Sequence, residues 1–131
     1  MKEITPIQAW NILQENKEAV LLDVRSRIEY DYIGHPSVAV HVPIKEPPAW
    51  ETDENFVNNV IEVLGEAAKQ TPILAMCRSG KRSEMAVNLL EAAGFVDVSN
   101  VLEGFEGELD AEKHRSSTGG WRYHGLPWVQ N

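Results

Sequence analysis

Cys77-Arg78-Ser79-Gly80-Lys81-Arg82-Ser83 is the stretch of this chain whose residue types and spacing could do chemistry. Cys77 is the only cysteine, and three cations and a glycine follow it within five residues. The reactive form of cysteine is the thiolate, which nearby Lys or Arg side chains and the start of a helix both favour. The first amides of a helix lack partners within it and carry partial positive charge. Gly80 tolerates positive φ, so successive amides can turn inward as an anion-binding nest. A lone cysteine is often no more than a small buried hydrophobe. A structural cysteine, however, has no use for three cations and a glycine, and the pattern points to a nucleophile in an anion cradle.

Two elements must hold this loop. Before it, Thr71-Pro72 make a turn and Ile73-Leu74-Ala75-Met76 an apolar run of strand length. After it, Glu84 to Ala93 reads as a helix stopped by Gly94. Cys77 therefore sits at the end of a strand, with a polar turn leading into a helix.

The rest of the chain repeats this alternation. Lys2 to Ile4 is read as a short edge strand, and Thr5-Pro6-Ile7-Gln8 opens a helix with an N-cap threonine, proline at the first position and glutamine at N3. Ala19 to Val24 is a nearly continuous apolar run, as in a strand buried on both faces. Ser26 and Glu29 have capping-box spacing, so a short helix is expected to about Ile33, with Arg25 and Glu29 paired four residues apart. Gly34-His35-Pro36 reads as a turn and Val38 to Val42 as a second apolar run. His35 and His41 are expected to bond backbone at strand ends rather than to act as acid–base groups.

Pro43 to Glu51 is a proline-rich loop that Trp50 could anchor. Thr52 or Asp53 is expected to cap a longer helix whose apolar face runs from Phe56 to Ala68. Val96 to Val101 alternates as a strand does, and Leu102 to Gly107 is a glycine-bearing loop at the same sheet edge as Cys77 if the strands are parallel. Residues 108–120 are polar and expected to be the most mobile part, and Trp121 to Trp128 to dock on the body. Alternating strands and helices imply an α/β fold, whose sites form at the carboxyl ends of parallel strands.

Length and composition set bounds. The 131 residues suit one domain, 1–131, with 43% hydrophobic and 24% charged residues. The net charge of −8 argues against nucleic acid or an anionic membrane as partner, and sharpens the contrast with the cationic loop. That contrast suits a small anionic substrate. The start of the sequence lacks a signal-like apolar stretch, and one cysteine allows neither an internal disulfide nor a cysteine-based zinc site. The expectation is a cytoplasmic protein without a metal.

Leu22-Asp23-Val24-Arg25 with Glu29-Tyr30, Gly34-His35-Pro36, the Cys77 to Ser83 loop, Gly94-Phe95, Asn100 to Phe105, Gly120-Trp121 and Gly125-Leu126-Pro127-Trp128 occur in an order and spacing that resemble a single-domain rhodanese. The resemblance implies a rhodanese-like three-layer sandwich, a five-stranded parallel sheet with helices on both faces. It implies a sulfurtransferase in which Cys77 cycles between thiol and persulfide without another cofactor. The donor would be thiosulfate or a similar small anion, and the acceptor cyanide, an external thiol or a protein, since no second cysteine can resolve the persulfide. Arg78, Ser79, Gly80, Lys81, Arg82 and Ser83 would line the anion site, with Arg78 and Arg82 supplying charge at its mouth. Asp23 and Arg25 would support the loop, Asp23 not as a general base.

Two other readings compete. A sulfur carrier or binding module would use the fold without free turnover, although inactive relatives usually lack the cysteine that is kept here. A cysteine-dependent phosphatase or arsenate reductase needs five residues between cysteine and arginine to encircle a tetrahedral oxyanion. Here Arg82 comes one place early and Ser83 stands at the required position, which leaves a smaller cradle.

Overall fold

The computed structural model describes residues 1–131. Its centre is a five-stranded, wholly parallel sheet formed by β1 (Lys2–Ile4), β2 (Val20–Asp23), β4 (Val40–His41), β5 (Ile73–Met76) and β6 (Val98–Val101), in the spatial order β1-β6-β5-β2-β4. β5, which leads to Cys77, is central, and all four of its residues are buried. Continuous apolar strands are what a sheet covered on both faces requires.

The two faces can be read off the strand alternation. Leu22, Ile73, Ala75 and Val98 join one buried cluster with Phe56, Val60, Ala86, Val87 and Leu90. Leu21, Leu74, Met76 and Val101 face the other way, packing with Ala9, Phe105, Trp121 and Leu126. Helices α2 (Phe56–Leu64) and α3 (Lys81–Ala92) therefore cover one side, while α1 (Pro6–Glu15) and the C-terminal segment cover the opposite side. Each large apolar side chain buried in this way contributes about 1.5–3 kcal/mol before conformational entropy is counted.

The local signals at α1 act as expected. Thr5 Oγ1 accepts from Gln8 N and the Gln8 side chain accepts from Thr5 N, closing a capping box. Ser26 and Glu29 also form their reciprocal cap. The helix that follows widens into a π-type turn over Glu29–Ile33, where Gly34 N reaches back to Glu29 O.

Elsewhere tertiary contacts override the local pattern. His35–Pro36 is not a free turn but strand β3, paired antiparallel with β7 (Trp128–Val129). Helix α2 is shorter than its apolar stripe: it begins after Asn55, whose N–H is held by the Asp53 carboxylate, and ends at Gly65 (φ 88°). A 3₁₀ turn over Glu66–Gln70 then carries Ala68 into the core. Residues 108–120 are a run of tethered turns. Asp110 Oδ1 accepts from Glu112 N and His114 N, Asp110 Oδ2 from Ser117 Oγ, and Arg115 donates to Gly107 O. No helix is long and apolar enough to cross a membrane.

Candidate active site

Strand β5 ends at Met76, and the next residue, Cys77, is buried at 1% exposure with its Sγ directed toward the start of α3. That helix begins at Lys81, three residues earlier than the sequence pattern suggests, so Lys81, Arg82 and Ser83 are its first turn rather than part of a long loop. Gly80 is the N-cap, with φ 121° and ψ −11°, a backbone region that costs glycine little and other residues much. In this conformation Gly80 N donates to Cys77 Sγ at 3.1 Å. The amides of Lys81, Arg82 and Ser83 open the helix without a partner in the chain.

Ser83 and Asn100 complete the surroundings of the sulfur. Ser83 Oγ lies 3.3 Å from Cys77 Sγ, 3.2 Å from Gly80 O and 2.6 Å from Asn100 Oδ1. The Asn100 amide also donates to Gly80 O at 3.2 Å, so its orientation is fixed by the two groups that it touches. Asn100 is buried on β6. The sequence gives it as one residue of an alternating strand; its signal is a polar amide placed where the sheet interior admits only hydrogen-bonded groups.

The loop after β6 locks the other side. Phe105 N donates to Cys77 O at 2.8 Å and Glu106 N to Arg78 O at 3.0 Å. Gly104 makes this approach possible: its φ is +64°, and a Cβ there would lie within 2.5 Å of the Arg78 carbonyl. The shared sheet edge expected for the two loops is thus a backbone-to-backbone junction.

The charged residues pair differently from their spacing. Arg25 and Glu29 do not meet. Arg25 turns inward, and its guanidinium grips the Asp23 carboxylate through Nε and Nη2, with Nη2 also donating to Gly34 O at 2.7 Å. Both side chains are fully buried, and the guanidinium stacks 4.5 Å over the Phe105 ring. Asp23 thus reaches the loop only indirectly, through Arg25 and Phe105. Glu29 instead receives two bonds from Arg82, at 2.7 and 2.9 Å. Burial alone would raise the Glu29 carboxyl, but Arg82 and Ser26 outweigh it and hold it at about 2. The Glu29 bond in turn raises Arg82 further above its already high value. Arg82 is therefore a neutralised wall, and Arg78 is the guanidinium at the mouth without a carboxylate.

His35 Nδ1 and His41 Nε2 sit 2.8 and 2.7 Å from the carbonyls of Tyr30 and Arg25, away from the sulfur's own contacts. Burial lowers His41 from its ordinary value. No group of three or more His, Cys, Asp or Glu is placed to hold a metal ion.

Two cavities open beside the loop. The smaller, about 210 Å³, is lined by Cys77, Arg78, Ser79, Lys81 and Arg82. Of these, Lys81 is exposed, yet it borders the opening instead of pointing only into solvent. The larger, about 460 Å³, shares Arg78 and Arg82 as its wall. An amide, a hydroxyl and a helix start thus surround one sulfur, with a cationic opening above it. This arrangement can stabilise a sulfur anion and admit a small anionic reactant.

Comparison with known proteins agrees with the fold. The Rhodanese-like domain model matches residues 5–110. A thiosulfate sulfurtransferase, GlpE, of Haemophilus influenzae (strain PittEE) is 32% identical over 111 residues, covering 85% of this chain and 90% of its own. The uncharacterized protein RP600 of Rickettsia prowazekii (strain Madrid E) is 30% identical over 131 residues, covering 98% of this chain and 97% of its own. The crystal structure of Rv0390 from M. tuberculosis superimposes with a TM-score of 0.90 at 38% identity, covering 100% of this chain and 98% of that one. Fold and sequence likeness converge, and the chain belongs to the rhodanese-like domain family, a sulfurtransferase-type family.

Proposed function

We propose that this protein is a thiosulfate sulfurtransferase that carries sulfur as a persulfide on Cys77. The observation that carries the reading is the hydrogen bond from Gly80 N to Cys77 Sγ at the floor of a cation-rimmed opening. Likeness to a protein named thiosulfate sulfurtransferase supports the choice of donor.

In the first half-reaction the Cys77 thiolate attacks the outer sulfur of thiosulfate. The S–S bond of thiosulfate breaks, sulfite leaves with the bonding pair, and the persulfide anion remains on Cys77. The open amides of Lys81, Arg82 and Ser83 would receive the outer sulfur, as an oxyanion hole receives oxygen. Arg78 and Lys81 would draw the anion in. In the second half-reaction an external thiophile, cyanide or a thiol, attacks the outer sulfur and Cys77 leaves as thiolate. Asp23 and Arg25 support the loop through Phe105 and take no proton.

The test is an intact mass. After incubation with thiosulfate the protein should gain about 32 Da, one sulfur atom on an activated thiolate, and lose it when cyanide is added. Cys77→Ser should remain folded and gain nothing. Sulfur transfer surviving in Cys77→Ser would overturn the reading, as would a wild-type protein that thiosulfate leaves unmodified.

A further inference from the structure

The smaller cavity is enough for thiosulfate, which has few atoms, and leaves the larger one without a role. A volume of about 460 Å³ lies in the range of sites for organic ligands. Its walls are strongly polar: Glu29, Trp50, Arg78, Arg82, Glu106 and Arg115 line it. Three guanidiniums face these two carboxylates, and Glu106 keeps one buried oxygen, Oε2, without a hydrogen-bond partner. Glu29 is bound by Arg82 at 2.7 and 2.9 Å, and Glu106 has Arg122 Nη2 at 4.0 Å. Arg115 donates through Nη1 to Gly107 O, and the rest of its guanidinium makes no hydrogen bond in the chain. Arg78 makes no side-chain hydrogen bond and lines both cavities. Trp50 is 45% exposed and stands 5.9 Å from the Arg82 guanidinium, an apolar wall beside the charges. In a chain of net charge −8, two guanidiniums without a carboxylate partner in one cavity are a local exception.

We propose that this cavity binds the carboxylate-bearing body of a low-molecular-weight thiol, the acceptor of the sulfur. The proposal rests on the persulfide reading and adds the acceptor's chemical class. The acceptor's carboxylate sits against Arg115 and Arg78, since a guanidinium fork matches a carboxylate through two parallel bonds. Its carbon chain lies along Trp50, and its sulfur passes Arg78 into the smaller cavity. There the persulfide anion takes a proton from water, and the acceptor thiolate attacks the outer sulfur of the resulting Cys77–S–SH. A new S–S bond forms in the acceptor, the old one breaks, its electron pair goes to Cys77 as thiolate, and the proton travels with the transferred sulfur. No oxidant or reductant is consumed. Arg115, in the segment 108–120, is the specificity-determining residue.

The experiment measures how fast the thiosulfate-loaded protein is discharged by 3-mercaptopropionate and mercaptosuccinate, against 2-mercaptoethanol and cysteamine. Rates are compared at equal thiolate concentration. Carboxylated thiols should discharge it about tenfold faster than 2-mercaptoethanol, as one charge-assisted anchor allows. Their rates should saturate with concentration, and in Arg115→Ala the advantage should fall toward unity. Because the preference is first read on the wild-type protein, a variant that folds poorly does not decide the matter. Equal rates for charged and neutral thiols in the wild type would overturn the proposal, as would an advantage untouched in folded Arg115→Ala. If thiosulfate fails to load Cys77, the persulfide reading fails separately. The cavity is then read with symmetric disulfides: 3,3′-dithiodipropionate should form a mixed disulfide with Cys77 faster than bis(2-hydroxyethyl) disulfide, and equal rates would overturn the preference for carboxylates.

Discussion

Arg82 and Glu29, 53 positions apart in sequence, meet through two parallel hydrogen bonds of 2.7 and 2.9 Å. The pair ties the first turn of α3 to the turn that follows β2. Glu29 is held at about 2, against an ordinary 4.5. A carboxyl lowered in the folded state adds stability above its unfolded value, and that stability is lost as pH falls through the folded value. Glu29→Gln should therefore be less stable than the wild type near neutrality, by about 1 kcal/mol once solvent screening is allowed for. The difference should shrink between about pH 5 and pH 2. Denaturant midpoints of both proteins across that window check it, and a difference independent of pH would contradict the pairing.

Asp23 and Arg25 are both fully buried and share their charges. Removing one partner strands the other, which typically costs about 3–5 kcal/mol. Asp23→Ala should be strongly destabilised, more so than the double variant Asp23→Ala/Arg25→Met, which removes both charges. Thermal unfolding of the two variants decides this; equal losses would mean that the ion pair is not the reason.

Ser83 has one hydroxyl hydrogen and three acceptors within 3.3 Å, of which Asn100 Oδ1 is the nearest. Asn100 thus competes with the Cys77 thiolate for that hydrogen. Asn100→Ala should free it, and Cys77 alkylation at neutral pH should speed up roughly fivefold, since one more hydrogen bond to the thiolate raises its fraction while lowering the reactivity of each anion. The gain should vanish in the Ser83→Ala background. An unchanged or slower rate in Asn100→Ala would place the hydrogen on sulfur already.

Gly104 meets the Cys77 and Arg78 carbonyls across a junction that has no room for a side chain. Gly104→Ala combines a strained φ of +64° with a backbone clash, and should cost about 3 kcal/mol, at the upper end for single substitutions. Gly80→Ala has open space around its Cβ and should lose stability less while still disturbing the Cys77 contact. Melting temperatures and alkylation rates of the two variants together separate the effects.

Much of this site was legible because its signals are local. The Thr5 to Gln8 box, the apolar strand before Cys77 and the cationic run after it all act over a few residues. What local spacing missed depends on distant partners. Arg25 and Glu29 stand four apart, as helical pairs do, but Asp23 offers Arg25 a carboxylate in a dry interior and Arg82 reaches Glu29 from another element. Strand β3 exists only because Trp128–Val129 returns to it. The early start of α3 was hidden because Lys81 and Arg82 are good helix formers that resemble turn residues only by their charge.

The bond from Gly80 N to the Cys77 sulfur has a consequence for the timing of turnover. Holding charge on a thiolate makes it a weaker attacker and a better leaving group. In the proposed cycle Cys77 plays both parts, once in each half-reaction. At neutral pH the larger thiolate fraction offsets that loss in loading, whereas unloading gains the whole leaving-group effect, so the steady state should be weighted toward empty protein. Sulfur supply, rather than the search for an acceptor, would then set the pace.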